Sequence, residues 1–226
     1  MSTNGRQRLV EEKPKMADAN GNIAITTAEL AQMEQELEQH FAAIMSILRI
    51  DPADPNSADT PKRLARMWIR ELFRGRYEPP PRCTLFPNRR KVHGLVMSRG
   101  IEVRSICSHH WQPIIGQCVI GYIPGDFIIG LSKLNRVVEW FSRRGQVQEE
   151  LTEQIADFLQ QKLQPKALGI VVVCRHYCVI LRGVEGDEEQ AVMVTTAWRG
   201  KLSEDAQLRE EFLRLAGMEV PDYVKR

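Results

Sequence analysis

From Leu30 onward, apolar residues recur at steps of three or four: Met33, Leu37, Phe41, Ile44 and Leu48. That spacing lays one stripe along a helix. Thr26 stands at the N-cap position, and Glu29 three residues on completes a capping box. The Pro- and Asp-rich stretch 51–59 ends this helix. Thr60-Pro61 opens a second, with proline at the tolerated first position. Leu64, Met67, Trp68, Leu72 and Phe73 form its apolar face, and residues 77–87 read as a proline-rich connector. The period then changes. Residues 92–106 read as extended, and 111–123 (WQPIIGQCVIGYI) as a strand that stops at the turn Pro124-Gly125-Asp126. From Ser132 the pattern is helical, with Val137, Trp140 and Phe141 facing inward until Gly145. A longer helix turns Leu151, Ile155, Phe158 or Leu159, and Leu163 inward. Residues 169–182 (GIVVVCRHYCVILR) predict a strand throughout. Residues 185–189 read as an acidic loop, 191–197 as a last strand and 208–215 as a short helix. The central order, strand–strand–helix–helix–strand–strand behind a helical arm, predicts an α+β fold. Residues 1–24 are polar and aperiodic, which predicts a disordered tail. The pattern predicts an N-terminal helical region over 25–90 and an α+β domain over 91–226.

Composition narrows the function. With 226 residues, 43% of them hydrophobic, the chain can bury a core. A net charge of +2 gives no bulk attraction to nucleic acid or membrane, so anion binding must come from local clusters. There is no apolar run of about 18 residues to span a bilayer. The N-terminus lacks the apolar stretch of a secretory signal, which predicts a cytoplasmic protein. Five cysteines at irregular spacing read as reduced thiols free to bind a metal.

Two short segments hold the metal-capable residues: Cys107-Ser108-His109-His110 and His176-Tyr177-Cys178. Three of the five histidines and two of the five cysteines fall within these seven positions, a clustering that random placement does not favour. Thiolate and imidazole suit zinc. Cys107 and His110, three apart, can meet one ion across a turn. On a strand, His176 and Cys178 would share a face. Cys107, His110 and Cys178 make a three-ligand set that leaves a position for water, whose pKa the metal would lower to about 7. His109 and His176 remain as proton carriers. The ordinary role of a buried cysteine is packing. Cys83, Cys118 and Cys174 are assigned to it, although Cys174 lies on the same predicted strand face as Cys178 and is the rival ligand.

Lys133 and Arg136 share a face near a helix start that Ser132 could cap, an arrangement suited to phosphate. Arg182 lies four residues past Cys178, and Arg63 is a further basic candidate. Gln148-Glu149 places an amide beside a carboxylate, which can accept two N–H bonds from a guanine edge. Taken singly, each of these also reads as solvated helix surface.

Together the motifs resemble GTP cyclohydrolase I. The matching stretches are Thr60 to Met67 (TPKRLARM), Cys107 to His110 (CSHH), Gly121 to Pro124 (GYIP), Gly130 to Arg136 (GLSKLNR), Arg143 to Thr152 (RRGQVQEELT), His176 to Cys178 (HYC) and Arg182-Gly183. The resemblance implies the tunnelling fold, an antiparallel sheet with two helices on one face. It implies a homodecamer of two pentamers with sites at subunit interfaces. It also implies hydrolysis and rearrangement of GTP to 7,8-dihydroneopterin triphosphate and formate, the first step of pterin, folate or deazaguanine synthesis. Cys107, His110 and Cys178 then match the zinc ligands that activate water for attack on C8 of the purine. His109 matches the group that protonates the opening ring, His176 an acid–base group for later steps, and Ser132 a serine near the ribose. Gln148 and Glu149 match the guanine-recognising pair, and Arg63, Lys133, Arg136 and Arg182 the triphosphate contacts.

Two departures stand out. Ser108 occupies a position where the family usually has Glu. In the segment 191–200 (AVMVTTAWRG), Trp198 and Arg199 are unexpected. Competing readings are a related tunnelling-fold enzyme of pterin or deazapurine metabolism and a non-catalytic oligomeric zinc protein. The intact ligand set with Gln148-Glu149 favours the hydrolase over the first. The free His109 and His176 favour it over the second.

Overall fold

Helix α1 (Thr27–Ile47) begins at the predicted capping box. The Glu29 amide donates to Thr26 Oγ1 at 3.2 Å, and the Thr26 amide donates back to Glu29 Oε2 at 2.7 Å. These bonds satisfy two donors that a helix start leaves open. The structure is a computed structural model that describes residues 16–19, 21–183 and 192–217. The predicted loop 185–189, Ala191 and residues 1–15 of the predicted tail lie outside the described residues. Along α1 the stripe is only partly covered: Met45 is buried, whereas Ile44 and Leu48 are exposed. Helix α2 (Thr60–Met67) starts at Thr60 with Pro61 in its first turn, then runs into a π turn (Trp68–Leu72) and a 3₁₀ turn (Arg74–Arg76).

Four antiparallel strands form the sheet in the order β2-β3-β5-β6, with β2 at Val96–Ile106, β3 at Pro113–Ile123, β5 at Ala167–His176 and β6 at Val192–Gly200. Short strands β1 (Leu85–Pro87) and β4 (Phe127–Ile129) pair separately. Leu168, Ile170, Val172 and Cys174 of β5 pack into a core with α3 (Leu131–Ser142) and α4 (Gln148–Leu163). The alternate residues Ala167 and Val171 join a second cluster with Leu202 of α6 (Lys201–Glu204) and Phe212 and Leu213 of α7 (Ala206–Ala216). Burial on both faces explains why this strand reads as an unbroken apolar run rather than an alternation. Gly169 permits the second layer, because a Cβ there would lie 2.6 Å from the Trp198 ring and 2.7 Å from that of Phe212.

Two expectations are corrected. The strand predicted over 169–182 ends at His176, and residues Tyr177–Ile180 form a single helical turn, α5. The pairing His176↔Ile114 sits beside Pro113, which has no N–H to extend the ladder, so the chain beyond loses its partner. Residues 17–19 and 21–23, inside the stretch predicted as a disordered tail, are held in place. The guanidinium of Arg144 donates to Ala19 O at 3.0 Å, Asn22 Nδ2 to Gly75 O at 3.0 Å, and Ile23 N to Arg76 O at 2.9 Å. Arg144 is buried with its guanidinium 3.9 Å from the Trp140 ring centroid. Burial brings its pKa down to about 10, so it stays charged at neutral pH. Hydropathy cannot show such anchors, because they act on backbone carbonyls. Among the described residues, no helix is long and apolar enough to cross a membrane.

Candidate active site

The end of β2 and the start of α5 bring five predicted residues together. Cys107 closes β2 as a buried residue. Its amide donates to Gln112 O at 2.9 Å, and the Trp111 amide donates to Cys107 O at 2.9 Å, which closes a tight turn around His109 and His110. The His109 Nδ1 lies 3.7 Å from Cys107 Sγ. Cys178, on α5, lies near enough to Cys107 for the two thiols to act on each other. Burial pushes the Cys178 thiol up, the adjacent Cys107 sulfur adds to this, and Arg182 opposes it. Arg182 donates to His110 Nε2 at 3.0 Å. Because a guanidinium only donates, that nitrogen is the acceptor of a neutral imidazole.

The donor set fits a thiophilic divalent cation: two neighbouring sulfurs resist joint ionisation until a cation neutralises them. The third ligand position differs. The lone pair on His110 Nε2 is taken by Arg182, and no group of three His, Cys, Asp or Glu side chains among the described residues is arranged to hold an ion. His176 and Cys178 do not share a strand face, because the strand ends between them. Cys174 is no rival ligand. It is buried in the core, where loss of solvent pushes its pKa up to about 12 and keeps it a thiol.

A second group lies two residues from Cys178. His176 Nε2 is 2.8 Å from Gln148 Oε1. Gln148 is fully buried at the start of α4. Its Nε2 donates towards Val172 O, Met193 O and Thr195 Oγ1, each at 3.1 Å. Those two carbonyls fix which end of the amide is nitrogen, so the oxygen faces His176. An amide oxygen only accepts, so His176 carries its proton on Nε2 and keeps Nδ1 as a base. Burial lowers the His176 pKa, partly offset by Glu149, so the ring is neutral at pH 7. Thr152 Oγ1 donates to Gln148 O at 2.9 Å and lies 2.6 Å from Thr195 Oγ1, which completes the chain of bonds. Sequence reasoning missed Thr152 and Thr195. Thr152 stands one helical turn after Gln148, a spacing that could have flagged it; Thr195 carried no such signal.

Glu149 is exposed beside Gln148. The remaining predicted residues do not join either group within one chain. Ser132 and Arg136 are exposed on the first turns of α3, and the N-cap there is Gly130 rather than Ser132. Lys133 stands with them, near enough to Cys83 to act on its charge. Arg63 is exposed on α2 and pairs with Asp59 at 3.2 Å. The two unexpected residues are accounted for by packing. Arg199 pairs with Glu153 and Asp157 on α4, and Trp198 meets Phe212 edge-on with ring centroids 5.1 Å apart.

Comparison with known proteins places the chain in a family. The sequence model of GTP cyclohydrolase I matches residues 37–217. The GTP cyclohydrolase 1 of Tolumonas auensis is 41% identical over 186 residues, covering 82% of this chain and 85% of that protein. That of Yersinia enterocolitica is 40% identical over 179 residues, 79% of this chain and 80% of its own length. That of Haemophilus ducreyi is 37% identical over 209 residues, 90% and 95% respectively. The chain is an enzyme of the GTP cyclohydrolase I family.

Proposed function

We propose that the chain converts GTP to 7,8-dihydroneopterin triphosphate with release of formate, and that it depends on zinc held by Cys107, Cys178 and His110. The observation that carries this reading is the meeting of Cys107 and Cys178 beside two imidazoles, in a chain of this family. When bound, zinc supplies an activated water and a Lewis acid at the purine C8. The chain supplies the rest. His110 would hold the metal together with the two cysteines, and loss of its bond to Arg182 would leave that guanidinium for a phosphate. His109, exposed beside Cys107, holds a proton for the ring nitrogen released when C8 opens. His176 presents a neutral Nδ1, oriented by Gln148, that takes and returns a proton in the later steps. Glu149 accepts the N–H groups of the guanine edge; Gln148 joins it only by giving up its bond to His176. Ser132 faces the ribose, and Lys133, Arg136 and Arg63 take the triphosphate.

These last residues do not reach the cluster within one chain, which supports a site completed by a second copy. Strands β2 and β6 each have one edge that pairs with no other strand among the described residues. Such edges can pair with neighbouring copies, in keeping with the tunnelling fold and a decamer of two pentamers. The five free cysteines support action in a reducing cytoplasm.

The test is incubation of zinc-loaded protein with GTP, reading formate and, after oxidation, pterin fluorescence. Both should appear together. His109→Ala should keep its zinc and lose turnover by about 100-fold or more, the scale of a lost general acid. A zinc-loaded protein that binds GTP but releases no formate would leave a non-catalytic role instead.

A further inference from the structure

Trp111 closes the turn that carries the two histidines, and the reaction scheme leaves it unused. Its φ is +52°, in the left-handed region that a residue with a Cβ rarely adopts. The ring explains that seat. It meets Trp68 edge-on with centroids 4.6 Å apart and Phe73 at 6.1 Å. Trp68 in turn stacks on Phe73 at 5.3 Å and meets Phe41 of α1 at 5.6 Å. Trp111 remains 55% exposed, so contact between rings, rather than enclosure, holds it. Offset and edge-to-face pairs at these separations are attractive beyond their buried area.

The same stack touches the other half of the site. Phe73 lies against Gly145, whose φ is +69° and where a Cβ would fall 2.4 Å from the ring. The next residue, Gln146, donates its N–H to Ile106 O at 3.0 Å and leads to Gln148. One aromatic stack on the helical arm therefore abuts both the 107–111 turn and the 145–148 segment.

We propose that Trp111 is a positioning residue: its ring, docked on Trp68 and Phe73, sets the orientation of His109 and His110, so that the helical arm fixes the geometry of the proton donor. This rests on the reading of the site as a GTP hydrolase. Two measurements separate the two ideas. The first is steady-state turnover of GTP by the parent, Trp111→Ala, Trp111→Phe, Trp68→Ala and the double alanine variant. Trp111→Ala should lower kcat by about 10- to 100-fold, the cost of a misplacement near 1 Å, with KM changed by less than about two-fold. Trp111→Phe should recover most of kcat. The losses in kcat should fall short of multiplying in the double variant, because both substitutions break the Trp111–Trp68 contact. The second is the imidazole NMR spectrum of the metal-free protein, which needs no activity. Trp111→Ala and Trp68→Ala should both move the ring signals of His109 and His110 and leave those of His93 in place. Unmoved His109 and His110 signals would overturn the proposal whether or not the parent turns over GTP. So would a parent-like kcat in Trp111→Ala, or losses that multiply in the double variant. A parent that makes no formate while the ring signals shift as described would count against the hydrolase reading alone.

Discussion

At the scale of single residues, the site is organised by a buried glutamine. Gln148 spends its amide nitrogen on two backbone carbonyls and a threonine, and its oxygen on His176. A side chain so fully engaged is costly to remove, because its partners stay buried without it. Gln148→Leu should therefore lower stability by about 1–3 kcal/mol in urea unfolding and reduce kcat together. Unchanged stability and unchanged kcat would show that His176 needs no such support. The residue types at the site were legible in sequence, since cysteines and histidines crowd into two short segments. Their hydrogen-bond partners were not. Arg182 stood out only as a charge four residues past Cys178, and it meets His110 because the chain turns after His176. Gln148 read equally well as helix surface, because burial at a helix start depends on what lies above it.

At the scale of elements, sequence reading succeeded where local chemistry decides and failed where neighbours decide. The cap of α1 and the start of α2 are set by residues within one turn, and both stand where predicted. The end of β5 is set by Pro113 on the neighbouring strand, and the pinning of Ala19 and Asn22 by an arginine more than a hundred positions away. The two unexpected residues of β6 make contrasting contacts that can be told apart. Arg199 reaches carboxylates that are themselves largely exposed, with side-chain exposures of 53% and 72%. Arg199→Ala should cost under about 1 kcal/mol. Trp198 packs on Phe212 over Gly169, so Trp198→Ala should cost about 2–3 kcal/mol, somewhat less than for a fully buried ring. Thermal unfolding of the two variants checks the order; a larger loss for Arg199→Ala would reverse the assignment.

At the scale of the whole molecule, two layers of helices close over one sheet and shut thiols inside it. Cys118 and Cys174 are buried, and burial raises both pKa values, that of Cys174 from 9.0 to about 12. Burial also raises those of Tyr77 and Tyr122. The unfolded chain releases these protons first. Their contribution to stability is complete below about pH 9 and is lost as pH rises towards the folded values. Tm should fall accordingly in that alkaline range. At pH 8, iodoacetamide should leave Cys118 and Cys174 unlabelled until the protein is unfolded, as peptide mass spectrometry would show; native labelling of either would contradict the packing. On the function proposed here, Cys107, Cys178 and His110 hold one catalytic zinc. Chelator-stripped protein, titrated with zinc while formate release from GTP is followed, tests it most directly. The expected result is no formate without metal and full recovery at one zinc per chain, with Cys178→Ala neither binding the ion nor recovering. Full turnover by the stripped protein, or by Cys178→Ala, would contradict it.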